Sequence, residues 1–188
     1  MTTSLTPDTI QLRKIGDLPT ELVMQQAATF LAHLVKNPNF LDSLILPLLE
    51  EARSTGEWYV AHRHEGVDGS YSLQVFVWPA RTQTKIHDHS SWGAYCCAIG
   101  SVPEERYERL DDRSRPDHAR LKKVWQLSWS SEDGASTVQP GGGGIHRVGN
   151  NLSESTAISV HLYGPRIGEV DGRDYDPSRD YVCDRRED

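Results

Sequence analysis

The pattern of hydrophobic residues divides the chain into two parts, one on each side of Glu57. After Glu57 the sequence breaks into short runs rich in β-branched and aromatic residues, separated by clusters of Gly, Pro, Asp or Ser. The runs are WYVAHRH, YSLQVFVWP, GAYCCAIG, ARLKKVWQLSW and TAISVHLYG. Several short strands joined by turns are typical of a β-sandwich or a β-barrel. We therefore predict a mainly β fold, with residues 58–168 as a barrel.

The segment before Glu57 has helical periodicity instead. Between Thr20 and Lys36 apolar residues such as Leu22 and Val23 recur at spacings of three and four, which predicts an amphipathic helix. A second helical stretch follows Asn39, and Pro47 inside it should kink the helix or split it in two. We predict an N-terminal helical layer over residues 1–57 and, because residues 169–188 are charged with little apolar periodicity, a C-terminal tail.

Length and charge exclude several classes of function. The chain has 188 residues, 37% of them hydrophobic, which suffices for one domain over residues 1–188. A net charge of -7 without a basic stripe argues against nucleic acid as a partner.

No stretch approaches the roughly 18 apolar residues of a membrane helix, and the first residues lack a signal peptide pattern. Three cysteines, two of them adjacent, make a poor disulfide framework. We expect a cytoplasmic protein without a membrane partner, as a monomer or small homo-oligomer.

Two histidines one residue apart, His87 and His89, form a candidate metal site. On a strand this spacing directs both imidazoles to the same side of the sheet, as two ligands of one ion require. Alone the pattern is a weak signal of a metal site, and two surface or core histidines are the more common explanation. His146 is the candidate third ligand, since it follows Pro140 and four glycines that let the backbone turn tightly.

The two histidine segments together resemble the paired motifs of the cupin barrel. The matching positions are His87, His89 and Gly100 in the first motif, and Pro140, His146 and Asn150 in the second, with one extra glycine before His146. Where most cupins have a ligand glutamate, this chain has Gly93 and Ala94, which cannot coordinate a metal. The resemblance therefore implies a cupin barrel with a site of three neutral imidazoles.

A three-histidine site without a carboxylate is similar to that of the thiol dioxygenases among the cupins, namely cysteine dioxygenase and 3-mercaptopropionate dioxygenase. Such a site leaves Fe(II) its full charge and open positions, suited to a thiolate and to O2. The resemblance implies Fe(2+) as cofactor, a small thiol and O2 as reactants, and a sulfinate as product. The cysteine that animal members crosslink to a tyrosine is missing at Gly93 and Ala94, as in bacterial members.

Ser159, His161 and Tyr163 resemble the relay that the same enzymes carry on a late strand. Alternation places the three side chains on one face of that strand. The serine could hydrogen-bond the histidine, which could orient the tyrosine hydroxyl toward the metal. Polar side chains at three successive inward positions are costly to bury without a purpose. The alternative is an ordinary strand with polar inward residues.

A carboxylate on the substrate would call for an arginine, whose planar fork binds two oxygens. The family has an Arg or Gln at positions that correspond here to Val60 and Ala61, which leaves the substrate open. By alternation Tyr59, Ala61 and Arg63 should share a face, so Tyr59 and Arg63 are candidate substrate contacts. Arg173 and Arg166 are the other candidates. Each of these arginines could instead be a solvated surface residue.

The sequence leaves other functions open. The missing anchor at Val60 and Ala61 favours, as an alternative to the thiol dioxygenase, a non-catalytic cupin that binds a small molecule or a metal. A cupin isomerase or a zinc hydrolase fits less well, because the sequence identifies no carboxylate that would act as a base at the histidine site. Oxygen consumption with a thiol would distinguish the enzyme from the binding protein.

Overall fold

The N-terminal part of the chain forms helices. In a computed structural model, which describes residues 20–52, 56–66, 69–151, 154–165 and 170–184, helix α1 spans Thr20–Leu34. Its buried side chains share one face and are Val23, Met24, Ala27 and Leu31. Leu22, which the periodicity assigned to that face, is 41% exposed beside it.

The second helical stretch is divided, as the internal proline predicts. It begins with the short helix α2 (Pro38–Phe40), continues as a π-helical turn (Leu41–Ile45) and ends as helix α3 (Leu46–Glu51). The Asn37 side chain caps the start, because it accepts hydrogen bonds from the backbone nitrogens of the second and third helical residues. Pro47 has no N–H for the i−4 carbonyl, which explains why the wider turn directly precedes it.

The described residues contain eleven strands in two antiparallel sheets. The first sheet has the order β1-β2-β9-β4-β7 and the second has the order β11-β10-β3-β8-β5-β6. The strands are β1 (Tyr59–Glu65), β2 (Ser72–Trp78), β3 (Ile86–His87), β4 (Gly93–Ile99), β5 (Val102–Arg109), β6 (Leu121–Trp129), β7 (Ala135–Val138), β8 (His146–Val148), β9 (Ala157–Tyr163), β10 (Arg173–Asp176) and β11 (Tyr181–Asp184). The predicted mainly β fold with an N-terminal helical layer is confirmed.

Both faces of the first sheet are buried, because helices cover its outer face and the second sheet covers its inner face. Alternate residues of β4 show this arrangement directly. Cys96 lies in the core shared with α1, whereas Cys97 lies in the core between the sheets with Phe76 and Val102. The middle strands of this sheet, β4 and β9, are consequently buried almost from end to end.

The barrel extends beyond residue 168, so the prediction of a tail outside it is wrong. Strand β10 pairs with β3, and β11 pairs with β10, at one edge of the second sheet. Each of these four-residue strands buries one apolar side chain, Tyr175 or Val182, in a small core with Ile86. One buried residue among charged neighbours is too little to reveal a strand by periodicity. No described helix is long and apolar enough to cross a membrane.

Candidate metal centre

The structure brings His87, His89 and His146 together between the two sheets. His87 ends β3 and lies directly opposite His146, the first residue of β8. The Nε2 atom of His89 lies 3.1 Å from that of His87 and 3.2 Å from that of His146. All three side chains are buried, and their ligand atoms lie within 4.8 Å of one another. Three imidazole nitrogens thus converge on one point, as a single metal ion requires.

The outer ring nitrogens of two of these histidines are held by acceptors. His87 Nδ1 lies 2.9 Å from the Lys85 carbonyl oxygen, and His146 Nδ1 lies 3.0 Å from Glu104 Oε1. Such partners place the ring proton on Nδ1 and leave the Nε2 lone pair for a metal. Among the described residues no carboxylate belongs to the cluster. Three neutral nitrogen ligands with open positions fit a divalent first-row transition metal.

Glu104, which the sequence analysis missed, is a fully buried carboxylate behind His146. It accepts hydrogen bonds from Trp129 Nε1 at 3.0 Å and Ser136 Oγ at 2.8 Å, and from the Arg106 guanidinium, in addition to His146. Burial alone would raise the pKa of Glu104, but the hydrogen bond and attraction of His146 and the charge of Arg106 lower it to about 2. Glu104 is therefore negatively charged at neutral pH, and only the His146 ring separates this charge from the metal position.

Gly93 lies directly opposite Tyr163 in the pairing of β4 with β9. A β-carbon on Gly93 would lie only 3.1 Å from two carbons of the Tyr163 ring. Ala94 points to the other face, into the core shared with the helices. Gly93 is thus the position that faces the site, and the absence of a side chain there makes room for the tyrosine ring.

The three predicted relay residues form a continuous hydrogen-bonded chain. Ser159 Oγ lies 2.7 Å from His161 Nε2, and His161 Nδ1 lies 3.0 Å from the Tyr163 hydroxyl. Trp78 Nε1 donates to Ser159 Oγ at 2.8 Å, so the serine proton is available for His161 Nε2. His161 then carries its proton on Nδ1 and donates it to the Tyr163 oxygen, and the Tyr163 O–H becomes a donor to its next partner. The Tyr163 ring lies 5.0 Å from that of His89.

His161 is held neutral by its surroundings. Burial, followed by repulsion from His146 when that ring is protonated, lowers the pKa of His161 to about 3, although Glu104 acts in the opposite direction. The imidazole lies between two aromatic rings, with Phe76 at 4.3 Å and Tyr95 at 4.9 Å between ring centroids. The ring is therefore fixed in position and acts as a hydrogen-bonding spacer rather than as a cation.

Arg173, a predicted substrate contact, is bound to the turn between the ligand histidines. Its guanidinium lies 2.9 Å from Asp88 Oδ2, and its backbone nitrogen donates to Asp88 Oδ1 at 2.7 Å. The Tyr175 hydroxyl donates to the same carboxylate at 2.7 Å. Asp88 is buried, so this network fixes the turn from strand β10. The guanidinium is thereby engaged away from the cavity, which it does not line.

A cavity of about 1160 Å³ opens over the histidines and the relay. Val60 and Arg63 line it, but Tyr59 and Ala61 pack against the core under the helices. The predicted alternation of Tyr59 and Arg63 is wrong because the strand has a β-bulge at Ala61, where Val60 pairs with Phe76 but His62 already pairs with Val75. Arg63 is therefore the candidate contact that reaches the cavity. Arg166 lies outside the described residues.

Residues 55–176 match the sequence model of the family Cysteine dioxygenase type I. Among solved structures, TT1209 from Thermus thermophilus is 19% identical, with 65% of this chain and 95% of that chain covered and a TM-score of 0.44. A Cupin 2 conserved barrel domain protein from Salinispora arenicola is 10% identical, with 57% and 73% covered and a TM-score of 0.39. The Cupin_2 domain of an XRE family transcriptional regulator from Enterobacter cloacae is 11% identical, with 58% and 98% covered and a TM-score of 0.38.

Proposed function

Since the chain belongs to the cysteine dioxygenase type I family, we propose that it is a non-haem Fe(II)-dependent dioxygenase that oxidises a small carboxylate-bearing thiol to its sulfinate. The observation that carries this proposal is the convergence of three histidines, without a carboxylate, next to the relay of Ser159, His161 and Tyr163. The overall change is RSH + O2 → RSO2H, in which sulfur is oxidised and both oxygen atoms are retained. We expect the reaction to occur in the cytoplasm, where the free thiols of the three cysteines persist.

The three histidines would hold the iron through their Nε2 atoms. Bound Fe(II) would supply the Lewis-acid and redox chemistry that joins dioxygen to a thiol sulfur. The protein contributes the orientation of the ligands, because Lys85 and Glu104 fix two of the three rings from behind. The histidines are buried, so that a substrate would reach the metal only through the cavity that they line.

Tyr163 is the group we expect to act on the oxygen atoms during the reaction. The chain from Trp78 through Ser159 and His161 orients its hydroxyl so that the proton is donated onward. Because His161 stays neutral, the relay does not deliver a net charge and instead holds the tyrosine O–H in one direction. Tyr163 can thus donate a hydrogen bond to oxygen or to the sulfur product as charge develops there.

Arg63 is the side chain that we expect to bind the substrate carboxylate. It lines the cavity, and its only described ionic partner, Glu65, lies at 4.0 Å with both side chains more than half exposed. An exposed pair of this kind contributes little, so the guanidinium is able to turn toward a substrate anion. Val60 occupies the cavity wall nearby and offers only an apolar surface.

Oxygen consumption by the iron-loaded protein tests the proposal. Protein purified anaerobically and loaded with one Fe(II) is mixed with 3-mercaptopropionate, cysteine and longer mercapto acids, and oxygen uptake is measured with an electrode. We expect one O2 per thiol and a product heavier by two oxygen atoms in mass spectrometry. Thiol binding without oxygen uptake would instead support the non-catalytic binding protein.

A further inference from the structure

Three polar side chains form a row across the cavity wall, from the relay to the cavity rim. Arg63 on β1 pairs with Gln74 on β2, and Gln74 pairs with His161 on β9. All three line the cavity. Neighbouring strands lie about 4.8 Å apart, so the α-carbons of Arg63 and His161 are separated by about 10 Å. That distance corresponds to about three residues of extended chain.

Gln74, in the middle of this row, has its amide orientation set by its neighbours. Its Nε2 donates to Ser72 Oγ at 3.0 Å, and the Ser72 hydroxyl donates to Glu65 Oε1 at 2.8 Å. Because the single Ser72 proton goes to Glu65, Gln74 must be the donor in its own bond. The Gln74 Oε1 atom is thus an acceptor, and no described residue donates to it. It suits a ligand N–H.

Arg63 is the most loosely held cation of the described cavity wall. Arg81 is bound by both oxygens of Glu154, at 2.7 and 2.9 Å, and Lys85 lies 3.4 Å from Asp174. The separation of 4.0 Å between Arg63 and Glu65 is longer than a hydrogen bond. A ligand carboxylate would therefore displace the weakest existing ion pair of these three cations if it bound Arg63.

An apolar wall flanks the row. Phe76 and Val60 occupy the next row of the sheet, and the Trp58 ring lies 5.9 Å from that of Phe76 and 5.5 Å from that of Trp78. The cavity of about 1160 Å³ is larger than the pockets of drug-sized ligands, which span roughly 300–1,000 Å³. A thiol of cysteine's size would fill a small part of this space.

Building on the proposed thiol oxidation, we propose that the preferred substrate is a peptide-like thiol, in which at least one amide group separates the thiol chain from the carboxylate. The thiol lies at the histidines, the amide N–H donates to Gln74 Oε1, the carboxylate binds Arg63, and the intervening chain packs against Phe76 and Trp58. This assignment uses the length of the row, the acceptor at its centre and the cation at its end. It places cysteine and 3-mercaptopropionate among the poorer members of the class.

The test compares three thiols on the iron-loaded protein: 3-mercaptopropionate, its amide with glycine (3-mercaptopropionylglycine), and the same compound with the carboxylate converted to a carboxamide. We expect kcat/KM for the glycine conjugate to exceed that of 3-mercaptopropionate at least tenfold. Loss of the carboxylate should lower kcat/KM by about 10- to 100-fold, the value of a charge-assisted hydrogen bond. The same ranking is measured without turnover as Kd on zinc-loaded protein by calorimetry.

Three variants distinguish the contacts of Arg63 and Gln74 from general effects of mutating the cavity wall. In Arg63→Ala the conjugate and its carboxamide should react equally, whereas Arg81→Ala, which also changes a cavity arginine, should retain the wild-type ratio. Gln74→Leu should lower kcat/KM for the conjugate about fivefold, the value of one hydrogen bond. Preference for 3-mercaptopropionate, or an unchanged ratio in Arg63→Ala, would overturn the inference while leaving the dioxygenase proposal standing. Arg63-dependent binding to the zinc-loaded protein without oxidation of any thiol would support the subsite and refute the dioxygenase.

Discussion

Replacing Glu104 by glutamine tests whether a buried negative charge behind His146 strengthens metal binding. The substitution keeps the size of the side chain and removes its charge. Four donors surround the carboxylate in the wild-type protein: two at Oε1, from His146 and Arg106, and two at Oε2, from Trp129 and Ser136. The glutamine amide can accept from one of these pairs, and its NH2 group must face the other.

The expected loss of metal affinity is about tenfold. If the amide oxygen stays with His146 and Arg106, the hydrogen bond to His146 changes from a charged acceptor to a neutral one. Hydrogen bonds to charged groups contribute about 1.5–3 kcal/mol and neutral ones about 0.5–1.5 kcal/mol, so the difference is about 1 kcal/mol. Removal of such a partner from a ligand histidine typically weakens metal binding by about 10- to 100-fold.

The stability of the metal-free protein should fall as well. Trp129 Nε1–H would face an NH2 group, and Arg106 would lose its buried ionic partner. Breaking one side of a buried ion pair costs about 3–5 kcal/mol. The free energy of unfolding is obtained from urea titration, and metal affinity is measured only where circular dichroism shows the variant to be folded.

Affinity for Fe(II) is measured anaerobically by competition with a chelator of known affinity. Ser136→Ala is the matched control, because it removes one donor from the same carboxylate but leaves the charge. We expect Ser136→Ala to bind iron within about threefold of the wild type, since one neutral hydrogen bond is lost. A folded Glu104→Gln protein with wild-type affinity would refute the argument that the charge acts on the metal through His146.

The remaining predictions concern the ligands and the relay. His146→Ala should lose both iron, measured by elemental analysis, and activity; stoichiometric iron in this variant would contradict the ligand assignment. Tyr163→Phe should bind iron normally and turn over at least about tenfold more slowly, because the oriented proton is absent; full turnover would exclude that role. Gly93→Ala should retain iron but lower turnover several-fold, since its β-carbon would push the Tyr163 ring aside; wild-type turnover would show that the ring position is not limiting. Since the pKa of His161 falls from 6.5 unfolded to about 3 folded, the metal-free protein should take up one proton there on unfolding between those pH values. Between pH 6.5 and about 3, this proton uptake should raise the equilibrium constant for unfolding about tenfold for each pH unit lowered. Urea titrations at several pH values should show this dependence in the wild type and its loss in His161→Asn.

The positions that the structure reproduces were predicted from strict local periodicity or from spaced motifs. His87 and His89 share a side because they lie two residues apart, and Ser159, His161 and Tyr163 lie on one face of an uninterrupted strand. Alternation along a few residues is enough to place these side chains. His146 was predicted from the glycine-rich segment that precedes it. Its pairing with His87 brings the two histidine segments together.

The predictions that failed required information from the partner strands. Tyr59 and Arg63 would share a face if β1 were regular, but the bulge at Ala61 reverses the alternation between them. Nothing in the sequence of β1 marks that bulge, because it is set by the pairing with β2. Arg173 does lie near the histidine site, but its guanidinium binds the buried Asp88 and does not line the cavity where a substrate would bind. Glu104 and Arg106 did leave a signal, since opposite charges at alternate positions of a strand point inward together.

The positions of Gly93 and Glu104 together explain how this site can work without a ligand carboxylate. A glutamate ligand would neutralise part of the metal charge and occupy a coordination position. Here Gly93 leaves that space to the Tyr163 ring, while Glu104 supplies negative charge through His146 and occupies no coordination position. In the proposed dioxygenase this arrangement would keep positions open for a thiol and for O2 and still compensate charge in a buried cavity. Gly93→Glu should therefore bind divalent metal but exclude thiol, so that thiol affinity on the zinc-loaded protein falls at least about tenfold. Unchanged thiol binding in Gly93→Glu would show that the space opposite Tyr163 is not part of the open site.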